Sequence, residues 1–229
     1  MHMCSTKLVV FDMAGTTIRD QGNVADAFIE AFIDYGIPKP ADEDVNEVMG
    51  YRKMDAIRSL LHRYAPSVKE DGKLIQEIHE HFTELMIRFY ENDELLTPLA
   101  EAEQCFQQLK QQRVKVALNT GFSRRITDTI LFRLEWTNHP LIDAVICSDE
   151  VPEGRPAPHM IHTLMETLDI RNSQEVVKVG DTKADVQEGR NAGCGLVIGI
   201  TTGASTREQL QQYGADHIIH HLHELSSLI

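Results

Sequence analysis

The sequence predicts a doubly wound, Rossmann-like α/β fold with a parallel sheet core and an inserted all-helical cap domain. Two observations lead to this prediction. Short continuous apolar runs, which suit parallel strands buried on both faces, alternate with amphipathic stretches of helical length. In addition, the long region between Asp20 and Asp93 has helical patterning and no convincing strand.

Six apolar runs are predicted to be strands, the last of them weakly patterned. They are Lys7–Phe11, Val114–Asn119, Ala144–Cys147, Val176–Val179, Leu196–Ile200 and His217–Ile219. The helices predicted between them are Leu99–Gln112, Ser123–Arg133, Pro156–Leu168, Ala184–Ala192 and Arg207–Tyr213. Alternation of strands and helices favours a parallel sheet with helices on both faces.

The region after the first strand is predicted to contain four helices, separated by glycine and proline breaks. They are Val24–Tyr35, Asp42–Met49, Met54–Tyr64 and Lys73–Tyr90. A helical block inserted directly after the first strand is typical of a cap that closes over a site at the sheet edge. We therefore expect a catalytic core at residues 1–20 and 95–229 and a cap at residues 21–94.

Composition narrows the classes of function. The net charge of −13 over 229 residues argues against nucleic acid or an anionic membrane as partner, although a local cluster of cations still permits a small phosphorylated substrate. The four cysteines are widely spaced and form no CxxC pair, which argues against a disulfide framework or a thiolate zinc site. No long apolar stretch opens the sequence, so a cytoplasmic location is expected.

Polar side chains follow four of the predicted strands. Asp12 ends the first strand, Asn119-Thr120-Gly121 ends the second, Arg155 follows the third, and Asp181 and Asp185 follow the fourth. Because the carboxyl ends of parallel strands meet at one edge of a sheet, these groups are expected to converge. Three crowded carboxylates require a divalent cation to offset their repulsion, and ligands that are all oxygen indicate Mg²⁺.

In this order and spacing, the four motifs resemble the haloacid dehalogenase superfamily of aspartyl-nucleophile hydrolases, over nearly the whole chain. The resemblance implies that Asp12 is a nucleophile that forms an aspartyl-phosphate. It implies that Thr120 and Gly121 cradle the phosphoryl group and that Arg155 clamps it. It also implies a Mg²⁺ site formed by Asp12, the main-chain carbonyl of Ala14, Asp181 and, through water, Asp185.

Two positions that depart from the usual superfamily pattern resemble its phosphonatase branch. Ala14 stands where most relatives carry a second Asp, which acts as general acid and base, and Arg155 stands where most carry Lys. The cap run Met49-Gly50-Tyr51-Arg52-Lys53 is also similar. Phosphonatases use the lysine at that place to form a Schiff base with their aldehyde, so the resemblance implies a catalytic Lys53.

The same cap run carries two further residues that the resemblance implies contact the substrate, Met49 and Arg52. One position differs from the branch, because Ala56 stands where phosphonatases have a histidine. The leading candidate substrate is phosphonoacetaldehyde or a close phosphonate or aldehyde relative.

The chemistry of a C–P bond makes the combination of Ala14 and Lys53 intelligible. Cleavage of this bond leaves a carbanion, which cannot be rescued by protonation of an ester oxygen. An iminium at the neighbouring carbon accepts those electrons as an enamine, provided that the lysine amine is first neutral. With the imine as electron sink, an acid at position 14 is no longer needed.

Two alternatives remain open from the sequence. The chain could be a phosphatase of a small phosphate monoester, similar to phosphoglycolate phosphatases, with Lys53 as a substrate-binding cation. It could also be a non-catalytic sensor of phosphate ligands, since Ala14 removes one catalytic group. Cap-mediated dimers occur among similar proteins, so a homodimer is a further candidate assembly.

Overall fold

The computed structural model describes residues 5–229 and contains a six-stranded parallel sheet. The strands are β1 (Leu8–Phe11), β2 (Lys115–Thr120), β3 (Ala144–Cys147), β4 (Val176–Gly180), β5 (Leu196–Ile200) and β6 (His217–Ile219). Their order across the sheet is β3-β2-β1-β4-β5-β6, so the chain winds outward from β1 in both directions. The predicted doubly wound α/β fold is confirmed.

Helices fill the segment between β1 and β2 and the connections that follow. The first four are α1 (Asn23–Asp34), α2 (Asp42–Glu47), α3 (Lys53–Tyr64) and α4 (Gly72–Asn92). The others are α5 (Ala102–Gln111), α6 (Arg124–Arg133), α7 (His159–Thr167), α8 (Lys183–Asn191) and α9 (Arg207–Tyr213). Short 3₁₀ helices cover Ser148–Glu150, Ser173–Glu175 and Leu222–Ser227.

Two helices begin three residues later than the sequence indicates. Helix α5 starts at Ala102 and not at Leu99, because Glu101 adopts a left-handed backbone conformation with φ 76° just before it. Helix α7 starts at His159 and not at Pro156. Pro158 directly precedes its first turn, and the helical conformation is unfavourable for Ala157 because it stands before a proline.

Alternate residues of the central strand face two different apolar layers. Val9 and Phe11 pack against helices α5 and α6, whereas Leu8 and Val10 pack against the layer that contains α7, α8 and α9. Phe106 of α5 links the first layer, with its ring centroid 5.3 Å from Phe11 and 5.7 Å from Trp136. Burial on both faces explains why the strands are continuously apolar.

Helices α1 to α4 occupy the segment for which the sequence predicts a cap, and the cap boundaries themselves stay a prediction. Phe28 of α1 stacks on Phe82 of α4 with ring centroids 4.5 Å apart. Helix α4 also contacts α6 of the sheet layer. Within residues 5–229, no helix combines the length and apolar character needed to cross a membrane.

Replacing Phe106 tests the layer beneath the central strand. We expect Phe106→Ala to lower the free energy of unfolding by about 3–5 kcal/mol, because it leaves a cavity between Phe11 and Trp136. Phe132→Ala is the matched control: Phe132 is 77 % exposed, so its loss should cost less than about 0.5 kcal/mol. Urea denaturation followed by circular dichroism measures both, and equal losses would contradict this packing.

Candidate active site

The ends of three neighbouring strands build the centre of the site. Asp12 directly follows β1, Thr120 ends β2, and Asp181 directly follows β4. Strand β1 lies between the other two, with Phe11 paired to Leu118 on one side and to Val179 on the other. The parallel register therefore brings these side chains to one edge of the sheet, as the sequence predicts.

Arg155 is fully buried beside the carboxylate of Asp12. Its Nη1 donates to Asp12 Oδ1 at 2.7 Å, and its Nε donates to Glu188 Oε2 at 2.8 Å. Nη2 donates to Asn119, at 2.9 Å to the main-chain oxygen and 2.6 Å to Oδ1. These bonds fix the planar guanidinium in one orientation, so Arg155 is a rigid positive charge beside Asp12.

A second buried cation, Lys178, lies behind Arg155. Its Nζ donates to Asn119 Oδ1 at 2.7 Å and lies 2.9 Å from Asp185 Oδ1. Our sequence reasoning gave Lys178 no role. The signal was present, since a lysine inside the apolar run Val176–Val179 has to find a buried partner.

Three buried carboxylates, Asp12, Asp181 and Asp185, offer oxygen atoms that all lie within 4.8 Å of one another. Burial and the charge of Asp185 raise the pKa of Asp12 to about 6. Burial and the charge of Asp12 raise the pKa of Asp181 well above its ordinary value. Although burial acts in the same direction on Asp185, Arg155 and Lys178 outweigh it and lower the pKa of that carboxyl.

This group of acids fits a hard divalent cation. The donors are all carboxylate oxygens, and the pKa values of Asp12 and Asp181 are raised because burial and the neighbouring carboxylates outweigh the protein's own cations. Asp181 is held by Thr16 Oγ1, at 3.1 Å, and by the main-chain N–H of Ala204, at 2.7 Å. Asp185 accepts hydrogen bonds at Oδ2 from the hydroxyl and main-chain N–H of Thr182, while its Oδ1 faces the two cations.

Lys53 begins helix α3, and its side chain is almost completely buried, with 4 % of the residue exposed. Its Nζ lies 4.9 Å from the ring centroid of Phe122 and 5.5 Å from that of Phe28. Burial lowers the pKa of Lys53 to about 8, with Asp12 opposing this shift and Arg155 adding to it. A lysine with these neighbours carries a substantial fraction of neutral amine in mildly alkaline solution.

One narrow pocket joins Lys53 to the strand ends. Its lining includes seven of the residues singled out from the sequence: Asp12, Ala14, Met49, Lys53, Thr120, Gly121 and Asp181. Val24, Gly50, Phe122 and Thr182 complete it. Val24 had no sequence signal beyond its place in the predicted cap, whereas Gly50 belongs to the cap run that resembles phosphonatases. The aromatic contact of Phe28 and Phe122 with Lys53 is a product of the fold.

The cap and the strand ends approach each other closely at Gly121. A Cβ atom on this residue would lie 2.6 Å from the main-chain oxygen of Gly50 and 2.5 Å from that of Tyr51. Only glycine allows this approach without a shift of backbone. Beside it, the Thr120 hydroxyl accepts a hydrogen bond from the Phe122 N–H at 3.1 Å, which leaves its own proton available to a phosphoryl oxygen.

Arg52 lies apart from this pocket. Its guanidinium donates to main-chain carbonyls of the segment after β3, among them Val151 at 2.6 Å and Pro152 at 3.0 Å. Arg155 and Asp185 stand behind Asp12 and are not part of the pocket lining either. The substrate-binding role that the resemblance implies for Arg52 stays a prediction. The roles implied for Arg155 and Asp185 also stay predictions: Arg155 contacts Asp12, and Asp185 contacts Arg155.

Comparison with known proteins settles the family. Residues 9–200 match the family model described as haloacid dehalogenase-like hydrolase. This chain belongs to that family. A phosphonoacetaldehyde hydrolase of Bacillus cytotoxicus is 32 % identical over 209 residues, which cover 86 % of this chain and 76 % of the relative. One from Bacillus cereus is 28 % identical over 218 residues, covering 89 % and 80 %.

Two solved structures of similar fold are named after different substrates. A phosphonoacetaldehyde hydrolase-like protein from Oleispira antarctica superposes with a TM-score of 0.83 at 22 % identity, covering 99 % of this chain and 92 % of that one. A predicted phosphoglycolate phosphatase from Haemophilus somnus gives a TM-score of 0.79 at 18 % identity, covering 99 % of both chains. At these identities the superpositions establish the fold alone. The family match identifies a hydrolase, against the non-catalytic sensor considered from the sequence.

Asp12→Asn tests the crowding of charge at this edge. Folded Asp12 keeps its proton up to a pKa of about 6, whereas an unfolded Asp loses it near ~3.9. In the absence of metal, the free energy of unfolding of the wild type should therefore fall as the pH rises between these two values. The variant should therefore melt at a higher temperature than wild type at pH 8 with chelator, and the difference should shrink toward pH 4.

Thermal unfolding followed by circular dichroism measures this effect, with the exposed Asp169→Asn as the matched control that should not change. Added Mg²⁺ should raise the melting temperature of wild type more than that of Asp12→Asn, because the variant lacks one ligand. A variant less stable than wild type at pH 8 without metal would contradict this electrostatic account.

Proposed function

We propose that this chain is a Mg²⁺-dependent phosphonatase that cleaves the C–P bond of phosphonoacetaldehyde or a close phosphonoaldehyde. The observation that carries the proposal is Lys53, a buried amine with a pKa lowered to about 8, in the same pocket as Asp12. A lysine nucleophile needs a neutral amine, and burial between aromatic rings supplies it. The curated relatives named as phosphonoacetaldehyde hydrolases support the same substrate.

The first stage joins the substrate to the cap. The neutral amine of Lys53 attacks the aldehyde carbon, and the resulting carbinolamine takes up a proton from water and loses its hydroxyl as water to give a protonated imine. The carbon next to phosphorus is thereby placed beside an electron-accepting iminium. Closure of the cap keeps bulk water away from this imine, which agrees with the nearly complete burial of Lys53.

The second stage transfers the phosphoryl group. Arg155 holds Oδ1 of Asp12, and we assign attack on phosphorus to Oδ2. As the new P–O bond forms, the electron pair of the C–P bond moves to the iminium nitrogen and gives an enamine. The hydroxyl of Thr120 lines the pocket and is placed to bind a phosphoryl oxygen during this step, while the charge of Arg155 acts through its hydrogen bond to Asp12.

The last stage releases both products. The enamine takes a proton at carbon, and water hydrolyses the resulting imine to acetaldehyde and free Lys53. A second water hydrolyses the aspartyl-phosphate, which releases inorganic phosphate and restores Asp12. No acid has to protonate an ester oxygen in this sequence, which agrees with Ala14 at the place of the usual second Asp.

Mg²⁺ at this site would neutralise the charge of the phosphoryl group and of the acids around it, which lets two anions approach. Asp12, the main-chain oxygen of Ala14 and Asp181 would hold it, with Asp185 as an outer support. The core at residues 1–20 and 95–229 supplies these groups, and the cap at residues 21–94 supplies Lys53 and Met49.

A second candidate is a phosphatase of a small phosphate monoester, as in the phosphoglycolate phosphatase reading of the sequence. It is favoured by the same pKa of Lys53: a value near 8 leaves most of the amine protonated at pH 7, where it is a substrate-binding cation. In this case the missing acid at Ala14 has to be replaced by water or by the substrate itself.

Lys53 variants separate the two candidates. With Mg²⁺ and phosphonoacetaldehyde, wild type should release acetaldehyde and phosphate in equal amounts. Both Lys53→Ala and Lys53→Arg should release neither, because arginine keeps the cation but forms no imine. Borohydride should trap a covalent adduct on Lys53 in wild type, increasingly as the pH rises through about 8 and the amine loses its proton.

A different pattern of activity in the Lys53 variants would contradict C–P cleavage. Phosphate release from small monoesters, kept in Lys53→Arg and lost in Lys53→Ala, would identify a phosphatase in which position 53 only binds. Asp12→Asn should be inactive in either case, since both candidates use the same nucleophile, and its activity sets the background of the assay.

A further inference from the structure

Arg52 crosses from the cap to the core directly beside Lys53. Its Nη1 donates to the main-chain oxygen of Pro152 at 3.0 Å, and its Nη2 donates to those of Val151, at 2.6 Å, and Ser148. All three acceptors lie in the segment that follows β3. One side chain at the start of α3 is thus bonded to three successive parts of a single core segment.

That core segment also reaches two functional parts of the site. Ser148 donates from Oγ to the main-chain oxygens of Gly121 and Phe122, at 3.0 and 3.1 Å, next to the predicted phosphoryl cradle. Three residues beyond Pro152 the segment arrives at Arg155, which holds Asp12. The contacts of Arg52 therefore end on the backbone that positions both ends of the phosphoryl site.

The side chain of Arg52 packs closely against this segment at Gly154. A Cβ atom on Gly154 would lie 2.7 Å from Cβ of Arg52, so the side chain passes directly over a glycine. The Nε of Arg52 is buried and has no hydrogen-bond partner among the described residues. Both terminal nitrogen atoms of the guanidinium donate to main-chain carbonyls, and these hydrogen bonds orient the group.

We propose that Arg52 is a positioning residue that latches the cap in its closed position. It couples burial of Lys53 to the placement of Arg155 and of the Gly121–Phe122 turn. The proposal rests on the proposed function for its catalytic consequence, because a neutral Lys53 matters only if it reacts. When the latch opens, water reaches Lys53, and the segment carrying Arg155 loses three charge-assisted hydrogen bonds.

A fork of three bonds to carbonyl oxygens is specific to arginine. A lysine at this position carries one compact charge, and its single nitrogen cannot span Ser148, Val151 and Pro152 at once. Arg52→Lys should therefore hold the cap only in part. Arg58, on the same helix, pairs with Asp55 and has a side chain 49 % exposed, which makes Arg58→Ala the matched control.

Chemical labelling of Lys53 tests the latch without any substrate. The full-length wild type, Arg52→Ala, Arg52→Lys and Arg58→Ala are treated briefly with acetic anhydride at about pH 11, above the usual lysine pKa of ~10.4, so that the amine is largely neutral in closed and open caps. Peptide mass spectrometry then gives the rate of acetylation at Lys53. We expect an increase of at least about tenfold in Arg52→Ala, a smaller increase in Arg52→Lys and none in Arg58→Ala.

Turnover supplies the second readout. With phosphonoacetaldehyde, Arg52→Ala should lose at least about tenfold in kcat and in borohydride trapping of Lys53, because imine formation needs the closed cap. Arg58→Ala should match wild type in both. Circular dichroism melting shows that each variant is folded, and Arg52→Lys decides the test if Arg52→Ala does not fold.

Three results would overturn the latch. The first is a wild-type rate of Lys53 acetylation in a folded Arg52→Ala. The second is a wild-type acetylation rate and turnover in Arg52→Lys. The third is an acetylation rate of Lys53 in Arg58→Ala that rises as much as in Arg52→Ala. Failure of the proposed function has a different signature, because wild type would then release no acetaldehyde while labelling of Lys53 still responds to Arg52.

Discussion

The mutual repulsion of Asp12, Asp181 and Asp185 is the constraint on which the rest of the site depends. Three carboxylates buried within 4.8 Å of one another are tolerable only if positive charge is fixed among them. Arg155 and Lys178 supply part of it from within the protein, and both are locked by Asn119. What these cations leave uncompensated appears in the raised pKa values of Asp12 and Asp181, which is where a divalent cation fits.

The parallel sheet makes this crowding possible. Because β1 lies between β2 and β4, Asp12 at its end has the Thr120–Gly121 turn, the proposed phosphoryl cradle, on one side and the acidic loop at Asp181 on the other. The strand interiors keep these elements in place through two apolar layers, whose burial offsets the cost of the crowded acids. The layers provide stability, and the sheet edge holds the acids at some cost to it.

Helix α3 of the predicted cap brings an amine to this pocket. Position 14 carries no acid, and Lys53 enters the pocket from helix α3 with a pKa lowered mainly by burial. That burial depends on how closely the cap approaches the core, at Gly121 through main-chain contacts and at Arg52 through its three carbonyl partners. Electrostatics in the core and closure of the cap therefore act on the same amine, which links the two parts of the chain.

The sequence by itself determined the order of strands and helices, since apolar runs and glycine or proline breaks are local signals that each chain segment carries alone. It also pointed to Asp12, Thr120 and Asp181, which stand at strand ends where parallel topology brings them together. Only the tertiary structure decided the partners of Lys178 and the aromatic neighbours of Lys53, because contacts between distant segments leave no periodic trace. For the same reason it alone directed Arg52 to the core backbone: a side chain's acceptors are fixed by packing, and main-chain carbonyls look the same in every sequence.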